Sequence, residues 1–193
     1  LLAMICDSTN VFNPSASGSE ADVRRHLLEL VGKETGRVAI TAFASNIARL
    51  ETLAEVARAH DRHAVLVGRS LRRNVQVARE TGYLTHLPPF IDEADAGFLP
   101  RDKVLYICTG SQGEPRGAMV RIATGDHPDV NMTDGDTVIF SSKIIPGNEL
   151  ALSKLYNALA KRGVKIITEK DEFVHVSGHP GREELARMYQ WIR

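Results

Sequence analysis

The chain has 193 residues, 43% of them hydrophobic and 25% charged. This is the balance of one large globular domain or two small ones, not of a disordered tail. Lys+Arg and Asp+Glu each number 24, so the formal net charge is zero; that excludes a strongly basic nucleic-acid-binding polypeptide but leaves room for a locally basic face. The two cysteines, Cys6 and Cys108, cannot staple a small secreted scaffold and fit a reduced, cytoplasmic setting. The longest apolar run, Leu1–Cys6, is too short to cross a membrane and lacks the flanks of a signal peptide, so no membrane partner is expected.

In chain order, short Val/Ile-rich runs alternate with helical stretches. The runs Ala3–Cys6, Arg37–Ala42, His63–Val67, Lys103–Cys108, Thr137–Ser141 and Val164–Thr168 predict strands. They are near-continuously apolar, as parallel strands buried on both faces are. Helices are predicted over Glu20–Lys33, Asn46–His60, Leu71–Thr81, Arg116–Thr124, Glu149–Arg162 and Arg182–Ile192. Ser19 and Asp22 form a capping box at the start of the first, and Gly36 is expected to close it. Gly163 marks the stop before the last strand. Tyr83–Asp102, with Pro88, Pro89, Pro100 and the acids Asp92, Glu93 and Asp95, predicts a surface excursion. The fold class is therefore α/β: a doubly wound, mostly parallel sheet with helices on both faces. The apolar opening and the uncapped Leu185–Arg193 helix suggest a piece of a longer protein.

In such sheets ligands bind beyond the carboxyl ends of the strands, and four polar loops fall there. Asp7-Ser8-Thr9-Asn10 places an acid that can be a metal ligand or the start of an Asx turn. Thr109-Gly110-Ser111-Gln112-Gly113-Glu114-Pro115 joins a strand to a helix whose N-terminus can offer free N–H groups to an anion; the alternative is a tight turn. It lacks the Lys-Ser/Thr ending of a nucleotide P-loop. Ser141–Glu149 carries hydroxyls able to bond phosphate, while Asn148 equally suits an N-cap. His175-Val176-Ser177-Gly178-His179 can hold metal, phosphate or a leaving-group oxygen, or be a histidine pair with no role; it has no zinc-type spacing. Arg69, Arg72 and Arg73 on one helix and Arg24 and Arg25 on another are local positive charge, suited to a nucleic-acid backbone or to a solvated helix face.

Six segments, Asp7–Asn10, Phe43-Ala44-Ser45-Asn46-Ile47, Val67-Gly68-Arg69-Ser70, Thr109–Pro115, Ile145-Pro146-Gly147-Asn148-Glu149 and His175–His179, occur in the order seen in bacterial ribonuclease J. The chain thus resembles, over essentially its whole length, that family of the beta-CASP branch of the metallo-beta-lactamase superfamily. The family inserts its beta-CASP domain into the hydrolase domain. The resemblance therefore implies a metallo-beta-lactamase remnant at 1–45, a beta-CASP domain at 46–172 and a return segment at 173–193. It implies a parent enzyme that cleaves RNA as a 5′–3′ exo- and endoribonuclease with two zinc or manganese ions. The implied parent prefers 5′-monophosphate ends and is a cytoplasmic homo-oligomer. By resemblance Asp7 is a bridging metal ligand and His179 the catalytic histidine beside the scissile phosphate. His175, Ser177 and Gly178 hold substrate phosphate; Ser111, Gln112, Gly113, Glu114 and Asn148 line the same cleft. Arg69 is a candidate contact for RNA.

The departures matter as much. The family's His-x-His-x-Asp-His motif is absent, as are its next and its last ligand histidines. Ser141-Ser142-Lys143-Ile144 replaces a more apolar, Pro-containing stretch. The fragment alone is expected to bind no catalytic metal and to cleave nothing. Two other readings stand beside this one. One is a non-catalytic Rossmann-like module binding phosphate or nucleotide through the loops at Gly110 and Gly147; the other is a DNA-acting beta-CASP nuclease.

Overall fold

The computed structural model describes residues 3–192; Leu1, Leu2 and Arg193, the outer ends of the opening apolar run and the last helix, lie outside them. Five strands form one sheet: β1 (Val38–Thr41), β2 (His63–Val67), β3 (Val104–Cys108), β4 (Thr137–Phe140) and β5 (Lys165–Ile167). Their spatial order is β2-β3-β1-β4-β5 and every pairing is parallel. The three inner strands are buried at every position, whereas β2 and β5 each begin exposed. That is why the inner runs are continuously apolar rather than alternating.

Alternate strand residues serve two separate apolar layers. Val38, Ile40, Leu105 and Ile107 pack with α1 (Glu20–Val31), α2 (Ile47–Ala59) and α3 (Arg69–Glu80). Ala39, Tyr106, Cys108, Val138 and Phe140 pack with α4 (Glu93–Ala96), α5 (Ala118–Thr124) and α6 (Glu149–Ala160). The chain moves outward from β1 to β2 over the first layer. It moves the other way, from β3 to β4 to β5, over the second, so these crossovers share one hand.

The step from β2 back to β3 looks like an exception, because α3 lies on the first layer. The excursion at 83–102 resolves it. Leu84 and Leu87 are buried in the first layer, Ile91 donates its N–H to Ala64 O at 3.1 Å and bridges Val65 in parallel, and Ala96 is buried in the second layer. The segment thus wraps the outer edge of β2, covers part of it, and enters β3 through a single 3-10 turn at Arg101–Lys103. The other edge, β5, is three residues long and starts with a lysine paired to Glu34 at 2.7 Å. Both edges are short or covered, which limits pairing with foreign strands.

Two expectations are corrected. Ala3–Cys6 has no regular secondary structure; Ile5 is 99% exposed and Cys6 is exposed. Its β-propensity finds no neighbouring strand here, and a strand needs a ladder partner to persist. Helix α1 ends at Gly32, not Gly36, in right-handed geometry, with the His60 ring on Leu28 O at 2.7 Å. Gly36 instead serves a backbone crossing: a Cβ there would lie 2.0 Å from Gly135 O. The Ser19 cap is as expected, its side chain accepting from Asp22 N. Gly163, at φ 75°, ends the turn after α6.

Gly36→Ala should lower stability by about 1–3 kcal/mol, since neither backbone can retreat freely. A fall in the urea midpoint checks this. Gly97→Ala, whose Cβ would meet nothing closer than 3.8 Å, should leave the midpoint near that of the parent.

Candidate functional site

Arg49 organises the carboxyl end of the sheet. It lies on the apolar stripe of α2, in step with Leu53 and Val56, and is 1% exposed. An unpaired guanidinium there would be untenable. It forms a fork to Glu20 at the start of α1, with Nη2 donating to Oε2 at 2.9 Å and Nε to Oε1. Its Nη1 donates to Ser141 O at 3.1 Å, to Ser141 Oγ, and to Val174 O at 3.3 Å. The Ser141 hydroxyl in turn donates to Val174 O at 2.6 Å. The end of β4 and the segment entering His175 are thereby pinned to α1 and α2.

His175 follows directly and is half-buried. Its Nδ1 is shut off from solvent without a hydrogen-bond partner. Burial first, and the Arg49 charge second, push its pKa from the usual 6.5 down to about 4. At neutral pH the ring is therefore uncharged. Ser177 Oγ accepts the His179 N–H at 3.1 Å, a tight turn that carries the His179 ring outward. A Cβ added at Gly178 would meet nothing within 4 Å, so the loop is open to approach there.

His179 Nδ1 hydrogen-bonds Asp7 Oδ2 across a separation of 172 residues. Both side chains are about half exposed, at 53% and 45%. Asp7 Oδ1 also accepts from Thr9 N at 2.8 Å, so the Asx turn and the contact with His179 coexist. The hydrogen bond from His179, then that from Thr9, hold the Asp7 carboxyl at about 2, well below the ordinary carboxylate range.

The loop after β3 is knitted to the loop after β4 instead. Gln112, 5% exposed, accepts at Oε1 from Ile145 N at 2.9 Å and Asn148 Nδ2 at 3.2 Å, and donates to Lys143 O at 2.9 Å. Glu114 Oε2 accepts from Gln112 N at 3.0 Å. Ser111 is 2% exposed, and its carbonyl accepts from Ser142 Oγ at 3.4 Å. Consecutive Ser141 and Ser142 therefore face different neighbours, Val174 and Ser111, and tie the loop after β3 to the segment entering His175. Gly113, at φ 73°, lies against α6, where a Cβ would be 2.9 Å from Ala151 C. Asn148 stands at the N-cap position of α6 but makes no side-chain cap bond.

Of the two readings of this loop, the geometry favours the tight turn. The first two N–H groups of α5 are taken: Ala118 N by Thr109 Oγ1 at 3.2 Å and Met119 N by Thr109 O at 3.0 Å. Gly110 and Gly117 serve close packing, since a Cβ on Gly117 would lie 2.5 Å from Gly110 Cα. Their role as a phosphate cradle loses its support.

Arg69 opens α3 at the end of edge strand β2, on the opposite edge from β5, and is exposed. It is not brought beside Asp7 and His179. Its neighbour Arg72 is held by Glu93 at 2.5 Å, while Arg73 is exposed. Beside the loops at Gly113 and Gly147 runs an apolar groove of about 470 Å³ between α5 and α6, lined by Val120, Leu150 and Leu155. The cysteines are free, and burial pushes the Cys108 thiol far up, leaving it inert.

The family model described as "Ribonuclease J, beta-CASP domain" matches residues 35–159. The chain belongs to the ribonuclease J family. It is 46% identical over 193 residues to "Ribonuclease J" of Sinorhizobium meliloti, covering all of this chain and 34% of that protein. It is 41% identical over 190 residues to that of Mycolicibacterium smegmatis and 40% over 191 to that of Mycobacterium tuberculosis, in each case 98% of this chain and 34% of the relative. The chain therefore spans about a third of the length of these ribonuclease J relatives. The family match begins ahead of β1, and the sheet is continuous across residue 45, because β1 is its central strand.

Sequence reasoning missed Arg49, which had a signal: an arginine in phase with an apolar stripe.

Arg49→Ala removes the partner of Glu20 and a donor to Ser141 O, and should cost about 3–5 kcal/mol in denaturant unfolding. The pH dependence follows from His175. Between about 6.5 and about 4 the unfolded chain takes up a proton that the folded chain refuses. Stability should fall as pH falls through that window, and His175→Gln should flatten that part of the profile.

Proposed function

We propose that this chain is the RNA-positioning beta-CASP region, with flanking metallo-beta-lactamase pieces, of a metal-dependent 5′–3′ exo- and endoribonuclease acting in RNA processing and decay. The observation that carries the reading is the meeting of Asp7 with the His175–His179 turn, two segments at opposite ends of the sequence. The family match and the relatives named ribonuclease J support it.

Two zinc or manganese ions are the cofactors this reading requires. Asp7 fits one role in it: an exposed carboxylate, ionised throughout the neutral range, beside an imidazole. It cannot complete a site alone. Among the described residues the acid and histidine side chains near enough to share an ion are Glu51, Glu55 and His86, on α2 and after α3, away from this pair. In this reading the remaining ligands come from the hydrolase domain of the parent, and the isolated region does not cleave RNA by itself. When bound, the ions supply Lewis-acid activation of water and neutralise phosphate charge.

The chain's own residues divide the remaining work. His175, uncharged at neutral pH, and Ser177 hold the substrate phosphate by hydrogen bonding rather than charge. His179 exchanges a proton with the leaving oxygen. The tied loops at Ser111–Glu114 and Asn148 form a rigid cleft wall toward a 5′-monophosphate end. Arg69 and Arg73 lie further out and meet the RNA backbone through salt-sensitive contacts. Helix α7 (Arg182–Ile192) has no buried residue. Its exposed Met188, Tyr189 and Trp191 present the surface that the hydrolase domain covers. Among the described residues no helix is long and apolar enough to cross a membrane. A parent that works in the cytoplasm as a homo-oligomer is part of the same reading.

The full-length protein loaded with zinc or manganese should degrade 5′-monophosphorylated RNA faster than 5′-triphosphorylated RNA or DNA. Hydrolysis of a thioester or a beta-lactam without RNA cleavage would overturn the assignment. His179→Ala should abolish most cleavage while leaving metal content nearly intact in elemental analysis; loss of metal as well would make His179 a ligand.

A further inference from the structure

One carboxylate joins the loop at 10–17 to the start of α7. Glu184 turns its Oε2 back to accept from Gly181 N at 2.7 Å, Ser17 N at 3.1 Å and Ser17 Oγ at 3.0 Å. Ser17 Oγ also reaches His179 O at 2.8 Å. Its single proton is therefore shared between that carbonyl and the carboxylate. Asn10 Nδ2 donates to the same carbonyl at 3.3 Å and to Ser17 Oγ at 3.4 Å. The two backbones are in close register. Arg182 N donates to Asn13 O at 2.9 Å, and a Cβ on Gly181 would lie 2.0 Å from Ser15 O.

These bonds hold the main chain of His179 from the Ser17 side, while its ring meets Asp7 at the other end of the same loop. The bond from Gly181 N alone would be ordinary helix capping. The two from Ser17 are not: they tie a distant loop to the turn that carries His179. Nor does the clamp hold up the core. Residues 7–18 and 178–192 contribute nothing to either apolar layer, and α7 buries no side chain.

We propose that Glu184, acting through Ser17, is a positioning residue that sets the approach of Asp7 to His179. This rests on the ribonuclease reading for its catalytic consequence, though not for its geometry. The carboxylate is the suitable group, because one oxygen must accept from three donors at once and an ionised oxygen does so best.

The test uses the full-length, metal-loaded protein and 5′-monophosphorylated RNA. Glu184→Ala should lower kcat by about 100-fold, the scale of a small misplacement of reacting groups. KM, metal content and thermal midpoint should stay near those of the parent. Ser17→Ala should behave alike, and the double variant should be no worse than the weaker single one, as expected for residues acting as a unit. Glu184→Gln keeps an acceptor oxygen in place and should recover most of the rate. The His179 ring signals in NMR should shift in Glu184→Ala and return toward the parent in Glu184→Gln, whether or not RNA is cleaved. Unchanged His179 signals, or a fall in rate that follows the thermal midpoint and is not relieved by Gln, would overturn the positioning role. A parent protein that leaves RNA intact would overturn the ribonuclease reading instead, with the NMR comparison still deciding the clamp.

Discussion

A single desolvated cation holds the carboxyl end of this sheet together. Removing a guanidinium from water is costly unless its donors are met. Arg49 meets that demand from three other segments at once: Glu20 on α1, Ser141 at the end of β4, and Val174 just before the histidine turn. Since the Ser141 hydroxyl itself donates to Val174 O, the three acceptors form one connected network in which each bond orients the next. The consequence is chemical as well as mechanical. The charge that fixes the backbone at Val174 also lies against His175 and helps keep that ring neutral. One residue thus sets both where the turn sits and how its first histidine can interact.

The sheet was legible because parallel strands buried on both faces leave a strong mark: β1 to β5 all fell within one or two residues of their apolar runs. Ala3–Cys6 shows the limit of that signal. Its residues are as continuously apolar as those of β3, but a strand is a relation between two segments, and an apolar run carries no information about a partner. The wrap at Tyr83–Asp102 was legible as irregular, yet its purpose was not. That Ile91 would close the edge of β2 and carry the chain between layers depends on the order of the strands in space.

The loops divide along the same line. Polar residues at strand ends read as ligand-binding chemistry, and that is the right place to look. Gln112 and Asn148, though, spend their hydrogen bonds on each other and on neighbouring backbone, and the glycines at 110 and 117 are small because two backbones touch. Buried polar groups must be satisfied somewhere, and a sequence does not say whether a ligand or a second loop does it. That Asp7 and His179 serve one site was implied only by family resemblance, and their hydrogen bond was not foreseen. Glu184 was invisible, because an acid in the first turn of a helix is already accounted for by the helix dipole.

The reach of that contact has a bearing on how the molecule forms. Residues 172 apart must be brought together, and the entropic cost of closing so long a loop is recovered only after the intervening sheet has folded and placed its ends side by side. The pairing is thus a late event. Because the paired segments add nothing to either apolar layer, they can also separate by local opening while the sheet stays intact. A partly folded or frayed chain therefore keeps its core but lacks the Asp7–His179 pairing, so that this contact marks completion of the whole fold.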